Sequence, residues 1–261
     1  MSNMENNLFD IQVHDGLVPK DFQKELWEYL REQTWHVFWL AQKETPGRLD
    51  RFKPKDGYWA RAWPVWPRAG FHRCCIATDE NTLKDRHPII STLWETINAG
   101  LDNQYEITGN PEEMYDREYS SKYGVDGEGW RVYVNGTVGQ INAGTWGPHR
   151  DTPNLEDDTS VTIIYCLNLE WYPRFGGEFI FFPEDPDGST GDHQQFNVGA
   201  QQQRGFNIGW ADKGRLVSPI PGRILVYDGR CLHTTYSPST TSQSDPFWRV
   251  VFRARRKTNV Q

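Results

Sequence analysis

The stretch PGRILVYDGRCLHTTYSP, residues 221–238, holds two short runs of strand-forming residues, ILVYD (224–228) and CLHTT (231–235), parted by Gly229 and Arg230. Runs of this kind bounded by Gly and Pro are strand signals. Similar runs recur through the C-terminal half: WRVYVNG (130–136), GQINAGTWG (139–147), SVTIIYCLNLE (160–170), GGEFIFFPE (176–184), GRLVSPIPGRILVYDG (214–229) and FWRVVFRARR (247–256). Short strands at this spacing predict a sandwich or barrel. IIYCLN (163–168) and FIFF (179–182) are nearly continuous apolar runs, so those strands should be buried on both faces.

Ahead of this region the pattern is helical. PKDFQKELWEYLREQT (19–34) carries Phe22, Leu26, Tyr29 and Leu30 at helical spacing with acidic residues toward its start, and RHPIISTLWETINAGL (86–101) places Ile89, Leu93, Ile97 and Leu101 on one face. Between them, residues 35–75 are rich in Pro, Gly and Trp and should mix strands with irregular loops. The expected organisation is one domain over 1–261: an N-terminal part, 1–128, of helices and an aromatic-rich substrate side, and a β core over 129–257. Residues 185–213 interrupt that core. Loops longer than about 12 to 15 residues are often functional, and Phe196, Phe206, Ile208 and Trp210 suit a lid that docks on a site. Asn135-Gly136 matches both a glycosylation sequon and a hairpin turn, and the turn is the preferred reading.

The 261 residues carry 28 Lys and Arg against 35 Asp and Glu, a net charge of −7 that disfavours nucleic acid and anionic membranes as partners. The first residues lack a basic start and an apolar run, and no segment approaches the roughly 20 apolar residues of a membrane span, so a soluble, cytoplasmic protein is expected. Four cysteines without a CxxC pair read as reduced residues. Aromatic residues make 14% of the chain, with 12 Trp, and either fill a core or line a ligand pocket.

GPHRDTPN (147–154) places His149 and Asp151 two residues apart. In a strand, residues i and i+2 point the same way, so one imidazole and one carboxylate could reach one metal ion. His-x-Asp arises often by chance, and the triplet alone reads better as a surface turn. What changes the odds is His233 in the second run of the opening stretch, because two histidines and one carboxylate compose the facial triad of non-haem Fe(II) oxygenases.

With these pieces in order, His149-Arg150-Asp151, then 160–168, 176–184, 221–238 and WRVVFRA (248–254), residues 130–257 resemble the Fe(II)/2-oxoglutarate-dependent dioxygenases, in particular the prolyl-4-hydroxylase-like branch. The resemblance implies a double-stranded β-helix, the jelly roll also called cupin-like, with His149, Asp151 and His233 as catalytic iron ligands. It implies Arg249 as the residue that grips the far carboxylate of 2-oxoglutarate, a task suited to the planar guanidinium fork. Arg253 and Arg255 share its alternating face and compete for that role, but they lie toward the strand's exit, where solvated surface charge is expected. The tyrosine that members carry before the HxD motif is missing, and Gln140 or Asn142 would stand in for it, with Asn142 preferred. Where members carry Ser or Thr two residues after the arginine, this chain has Val251. Relatives that halogenate lack the carboxylate, so retention of Asp151 implies hydroxylation or another outcome of hydrogen abstraction.

The cofactors implied are Fe(II) and 2-oxoglutarate, with oxygen as co-substrate. The expected substrate is a small molecule, a secondary metabolite such as a guanidine alkaloid. Aromatic faces would suit a cationic one. A peptidyl or protein hydroxylase is the alternative within the class. A non-catalytic cupin-like binding protein, and a hydrolytic zinc enzyme that would leave Arg249 unexplained, are alternatives outside it. The remaining histidines, 14, 36, 72, 87 and 193, read as surface or core residues, and Gly176-Gly177-Glu178 as a tight strand entry.

Overall fold

The computed structural model describes residues 9–32, 35–36, 58–62, 70–77, 79–107, 132–138, 150–152, 158–182, 214–235 and 247–258. The strand expected over 139–147 and the lid expected over 185–213 lie outside these residues, as do His149, Asn142 and Gln140.

The chain is mainly β with helices packed on one side. In order the elements are β1 (Ile11–His14), α1 (Lys20–Glu32), β2 (Trp35–His36), β3 (Tyr58–Ala62), β4 (Gly70–Ala77), α2 (Glu80–Arg86), α3 (Pro88–Gly100), β5 (Tyr105–Glu106), β6 (Val132–Val138), β7 (Ser160–Cys166), β8 (Phe179–Phe182), β9 (Arg215–Val217), β10 (Ile224–Asp228), β11 (Leu232–Thr235) and β12 (Phe247–Arg256). One sheet runs β1-β10-β7-β12-β6-β4-β3-β2, with β5 also on β12, and a second runs β11-β8-β9. All described pairings are antiparallel except β2 with β3. None of the described helices is long and apolar enough to cross a membrane.

The period of two along each strand explains how the sheets are placed. In β12, Trp248, Val250, Phe252 and Ala254 join a core that also holds Leu26 and Leu30 of α1 and Leu93 and Ile97 of α3. The opposite parity, including Val251, joins Cys166, Leu225 and Tyr227 in a second core with Phe179 and Phe181 of the smaller sheet. β7 and β10 are split the same way: Val161, Ile163, Tyr165, Ile224 and Val226 face the helices, while Ile164, Cys166, Leu225 and Tyr227 face the other sheet. Residues 161–168 and β8 are buried on both faces, as their continuous apolar character predicts. One layer of side chains is thus enclosed between two sheets, and any polar residue at that parity is held away from bulk water.

The helix expected over 86–101 is α3, which Pro88 starts from its first turn, and a separate helix not expected from the sequence, α2, precedes it, capped by the Asp79 side chain on the Thr82 amide at 2.8 Å. Two expectations need correction. The run 214–229 is two strands in different sheets, parted by Ser218-Pro219-Ile220-Pro221-Gly222. Asn135-Gly136 is no hairpin turn: both lie inside β6, paired with Arg249 and Trp248 on one side and Arg73 and His72 on the other. His87 reads correctly as a core residue, buried and 3.2 Å from the Tyr29 hydroxyl. Gly176 and Gly177 both take positive φ at the entry to β8, as a tight entry requires.

Candidate functional site

The site is assembled on the β10–β11 turn. The Cys231 amide donates to the Asp228 carbonyl at 2.9 Å, which closes the turn, and the Gly229 carbonyl accepts from the amides of Asp151 and Thr152 at 2.8 and 2.9 Å. The segment carrying Asp151 is therefore docked on the strand pair carrying Tyr227 and His233. Close approach demands glycine here, since a Cβ at position 229 would meet Ser160 Oγ at 2.5 Å and Thr152 Cγ2 at 3.3 Å. Arg150 fastens the same segment through the Arg230 carbonyl.

Two of the three expected metal ligands are described, and the fold brings them together: His233 Nε2 lies 3.6 Å from Asp151 Oδ1, both side chains buried. Donors each roughly 2.1 Å from one ion and at right angles stand about 3 Å apart, so a small closure would let the pair share an ion. His233 Nδ1 is 3.0 Å from the Cys231 carbonyl. Because a carbonyl only accepts, Nδ1 carries the proton and Nε2 presents its lone pair toward Asp151. Among the described residues no group of three His, Cys, Asp or Glu side chains gathers at one point, and Asp151 and His233 make two of a triad whose third expected member, His149, is not among them.

The carboxylate of Asp151 is held from three strands. Thr162 Oγ1 of β7 and the Tyr227 hydroxyl of β10 both donate to Oδ2, at 2.6 and 2.7 Å, and Arg253 Nη2 of β12 lies 2.5 Å from Oδ1. Arg253 in turn donates to the Tyr133 hydroxyl of β6. The expectation that Arg253 is solvated surface charge is thus overturned: its side chain is only 22% exposed and forms an ion pair with a carboxylate that is 3% exposed. Asp151 and the tyrosines hold its guanidinium charged against the cost of burial. Burial, reinforced by the Asp151 charge, pushes the Tyr227 phenol well above its usual range, so it stays a donor.

Arg249 lies two turns of the pleat away, about 13 Å along β12 from Arg253 on the same face. Its guanidinium sits over the rings of Phe179 and Phe247 at 4.5 and 5.2 Å, and Nη2 donates to the Gly177 carbonyl at 3.0 Å. Its Nε is buried without a hydrogen-bond partner among the described residues. Burial pulls the guanidinium down to about 10, and no carboxylate within ion-pair distance offsets this among the described residues. A buried cation with an unused donor edge fits an anionic ligand.

Burial also lowers the pKa of His233, although the neighbouring Asp151 raises it. A histidine kept neutral in the fold binds its proton more readily when unfolded, so its contribution is intact above the ordinary value of 6.5 and is lost as pH falls below it. Urea unfolding of the metal-free protein should show stability falling below about pH 6.5 by up to about 1.4 kcal/mol per pH unit from this group. His233→Gln should flatten that slope, and an unchanged slope would place the titration elsewhere.

Sequence reasoning missed Tyr227, Thr162 and Arg253. A signal existed for the last two: Thr162 interrupts an apolar run, and Arg253 has the parity of Arg249 and Val251.

No described family matches the chain, and no curated protein matches it. Among solved structures it is similar to a prolyl-4-hydroxylase from Pseudomonas putida, at 14% identity over 96% of this chain and 94% of that one, with a TM-score of 0.45. A prolyl hydroxylase from Trichoplax adhaerens, in complex with a hypoxia inducible factor oxygen degradation domain peptide fragment, is similar at 15% identity over 95% and 84%, with a TM-score of 0.47. The epimerase SnoN, in complex with Fe3+, alpha ketoglutarate and nogalamycin RO, is similar at 12% identity over 95% and 80%, with a TM-score of 0.47.

Proposed function

We propose that this protein is an Fe(II)/2-oxoglutarate-dependent oxygenase built on a double-stranded β-helix. The observation that carries the reading is Arg249, a buried guanidinium whose Nε has no partner among the described residues, on the strand that also supplies the ion-pair partner of Asp151. The fold reading is supported by the chain's passage between the two sheets, β7 in the first, β8 and β9 in the second, β10 in the first, β11 in the second and β12 in the first.

His149, Asp151 and His233 would hold the ion, and Arg249 the far carboxylate of the 2-oxo acid, with Asn142 as a further contact. When bound, the ion would activate oxygen at the expense of oxidative decarboxylation of the 2-oxo acid, and that chemistry would supply the oxidising power to cleave a C–H bond of the substrate. The chain's own part is positioning and exclusion of water. His233 offers Nε2 because Cys231 fixes its tautomer, and Arg249 is oriented by the Gly177 carbonyl before any ligand arrives. The rings of Phe179 and Phe247 keep that end dry, which strengthens a carboxylate–guanidinium pair.

The substrate proposed is a small molecule, a secondary metabolite such as a guanidine alkaloid of the kind oxidised by cylindrospermopsin-type alkaloid hydroxylases. Aromatic richness supports it through attraction of a cation to ring faces.

The test is an anaerobic titration of Fe(II) and 2-oxoglutarate into metal-free protein, followed by visible absorption. A weak charge-transfer band from chelation by the 2-oxo acid is expected. Iron binding without the band would remove 2-oxoglutarate from the reading, and no binding would leave the fold a non-catalytic use.

A further inference from the structure

The three-sided hold on Asp151 exceeds what burial of one carboxylate needs. Its two oxygens are treated differently. Oδ2 takes both hydroxyls, Thr162 at 2.6 Å and Tyr227 at 2.7 Å, while Oδ1 takes Arg253 at 2.5 Å and is the oxygen that faces His233 Nε2 at 3.6 Å. The braces are themselves braced. Arg253 Nη1 donates to Thr162 Oγ1 at 3.2 Å and its Nε to the Tyr133 hydroxyl at 3.2 Å, so Thr162 accepts from the guanidinium and donates to the carboxylate within one closed ring. Tyr227, pinned between Asp151 and the Phe181 ring at 4.9 Å, also reaches within 3.2 Å of His233 Nε2.

We propose that Arg253, Thr162 and Tyr227 are positioning residues that fix Asp151 with Oδ1 toward His233 before any metal ion arrives. The proposal rests on the metal reading given above. Rotation of a carboxylate about its last bond would exchange Oδ1 and Oδ2, and here that rotation must break two hydroxyl bonds and an ion pair together. The ligand oxygen is thereby selected by the fold, and the entropy of aiming it is removed from metal binding. Arg253 serves better than lysine because its fork touches Asp151, Thr162 and Tyr133 at once.

The experiment is a titration of metal-free, full-length protein with Co(II), read by its visible ligand-field absorption, with urea unfolding of each metal-free variant as the folding control. Arg253→Met should bind Co(II) about 10- to 100-fold more weakly, the range typical when a partner of a metal ligand is removed, and with an altered spectrum. Arg253→Lys should recover part of the affinity. Thr162→Val, which keeps the ion pair and loses one hydroxyl, should show a smaller loss and decides the matter if Arg253→Met fails to fold. Wild-type affinity and an unchanged spectrum in Arg253→Met, or in a folded Thr162→Val should the former not fold, would overturn the proposal and leave the metal reading intact. Absence of Co(II) binding by the unmodified chain would overturn both.

Discussion

Arg249→Met is expected to make the ligand-free protein more stable while weakening its binding of 2-oxoglutarate by about 100-fold or more. Stability rises because the native arginine is buried, its Nε has no partner among the described residues, and burial pulls its pKa from 12.5 to about 10. That displacement corresponds to a cost of about 3 kcal/mol for keeping the charge in the fold at neutral pH. Against it stand a hydrogen bond from this charged donor to the Gly177 carbonyl, worth about 2 kcal/mol, and ring contacts that a methionine sulfur largely replaces. The balance favours methionine by about 1 kcal/mol, a rise in Tm of about 2–4 °C for a chain of this size. Binding falls because truncating one member of a buried charge pair costs about 2–5 kcal/mol. Thermal unfolding and the charge-transfer titration measure the two effects separately. A loss of stability beyond about 2 kcal/mol would make Arg249 a structural brace instead of a ligand anchor.

A residue that costs stability while its partner is absent is difficult to explain as packing and easy to explain as function. It was also legible in the sequence, because β12 has strict parity: once Trp248, Val250 and Phe252 are assigned to one core, Arg249, Val251 and Arg253 must share the other face. The same rule contradicts the expectation of a solvated Arg253, which relied on nearness to the strand's end in place of parity. β7 and β8 were legible as doubly buried strands from their unbroken apolar character. The start of α3 was legible too, in Pro88. Asn135-Gly136 misled because a dipeptide that favours a turn by itself is overruled when strands pair on both sides. What no local pattern could show is the convergence on Asp151, whose partners at positions 162, 227 and 253 come from three strands and meet only through the sheet register.

Asp151→Ala should act opposite to Arg249→Met, destabilising the metal-free protein by about 3 kcal/mol or more. Removing one member of a buried ion pair leaves the other uncompensated, at a cost of about 3–5 kcal/mol. The lower end applies because Arg253 keeps 22% of its side chain exposed and retains Tyr133 and Thr162 as partners. The hydroxyls of Thr162 and Tyr227 also lose their acceptor. Tm should fall by about 6–12 °C. Adding Arg253→Met to Asp151→Ala should restore most of this loss, since the stranded charge is removed with its partner. Metal affinity should stay abolished in the double variant, because the carboxylate itself is gone. Recovery of stability without recovery of metal binding, measured by urea unfolding and Co(II) titration, would separate what the ion pair does for the fold from what Asp151 does for the site. Additive losses in the double variant would show that the two side chains act independently and that the 2.5 Å contact carries no coupling.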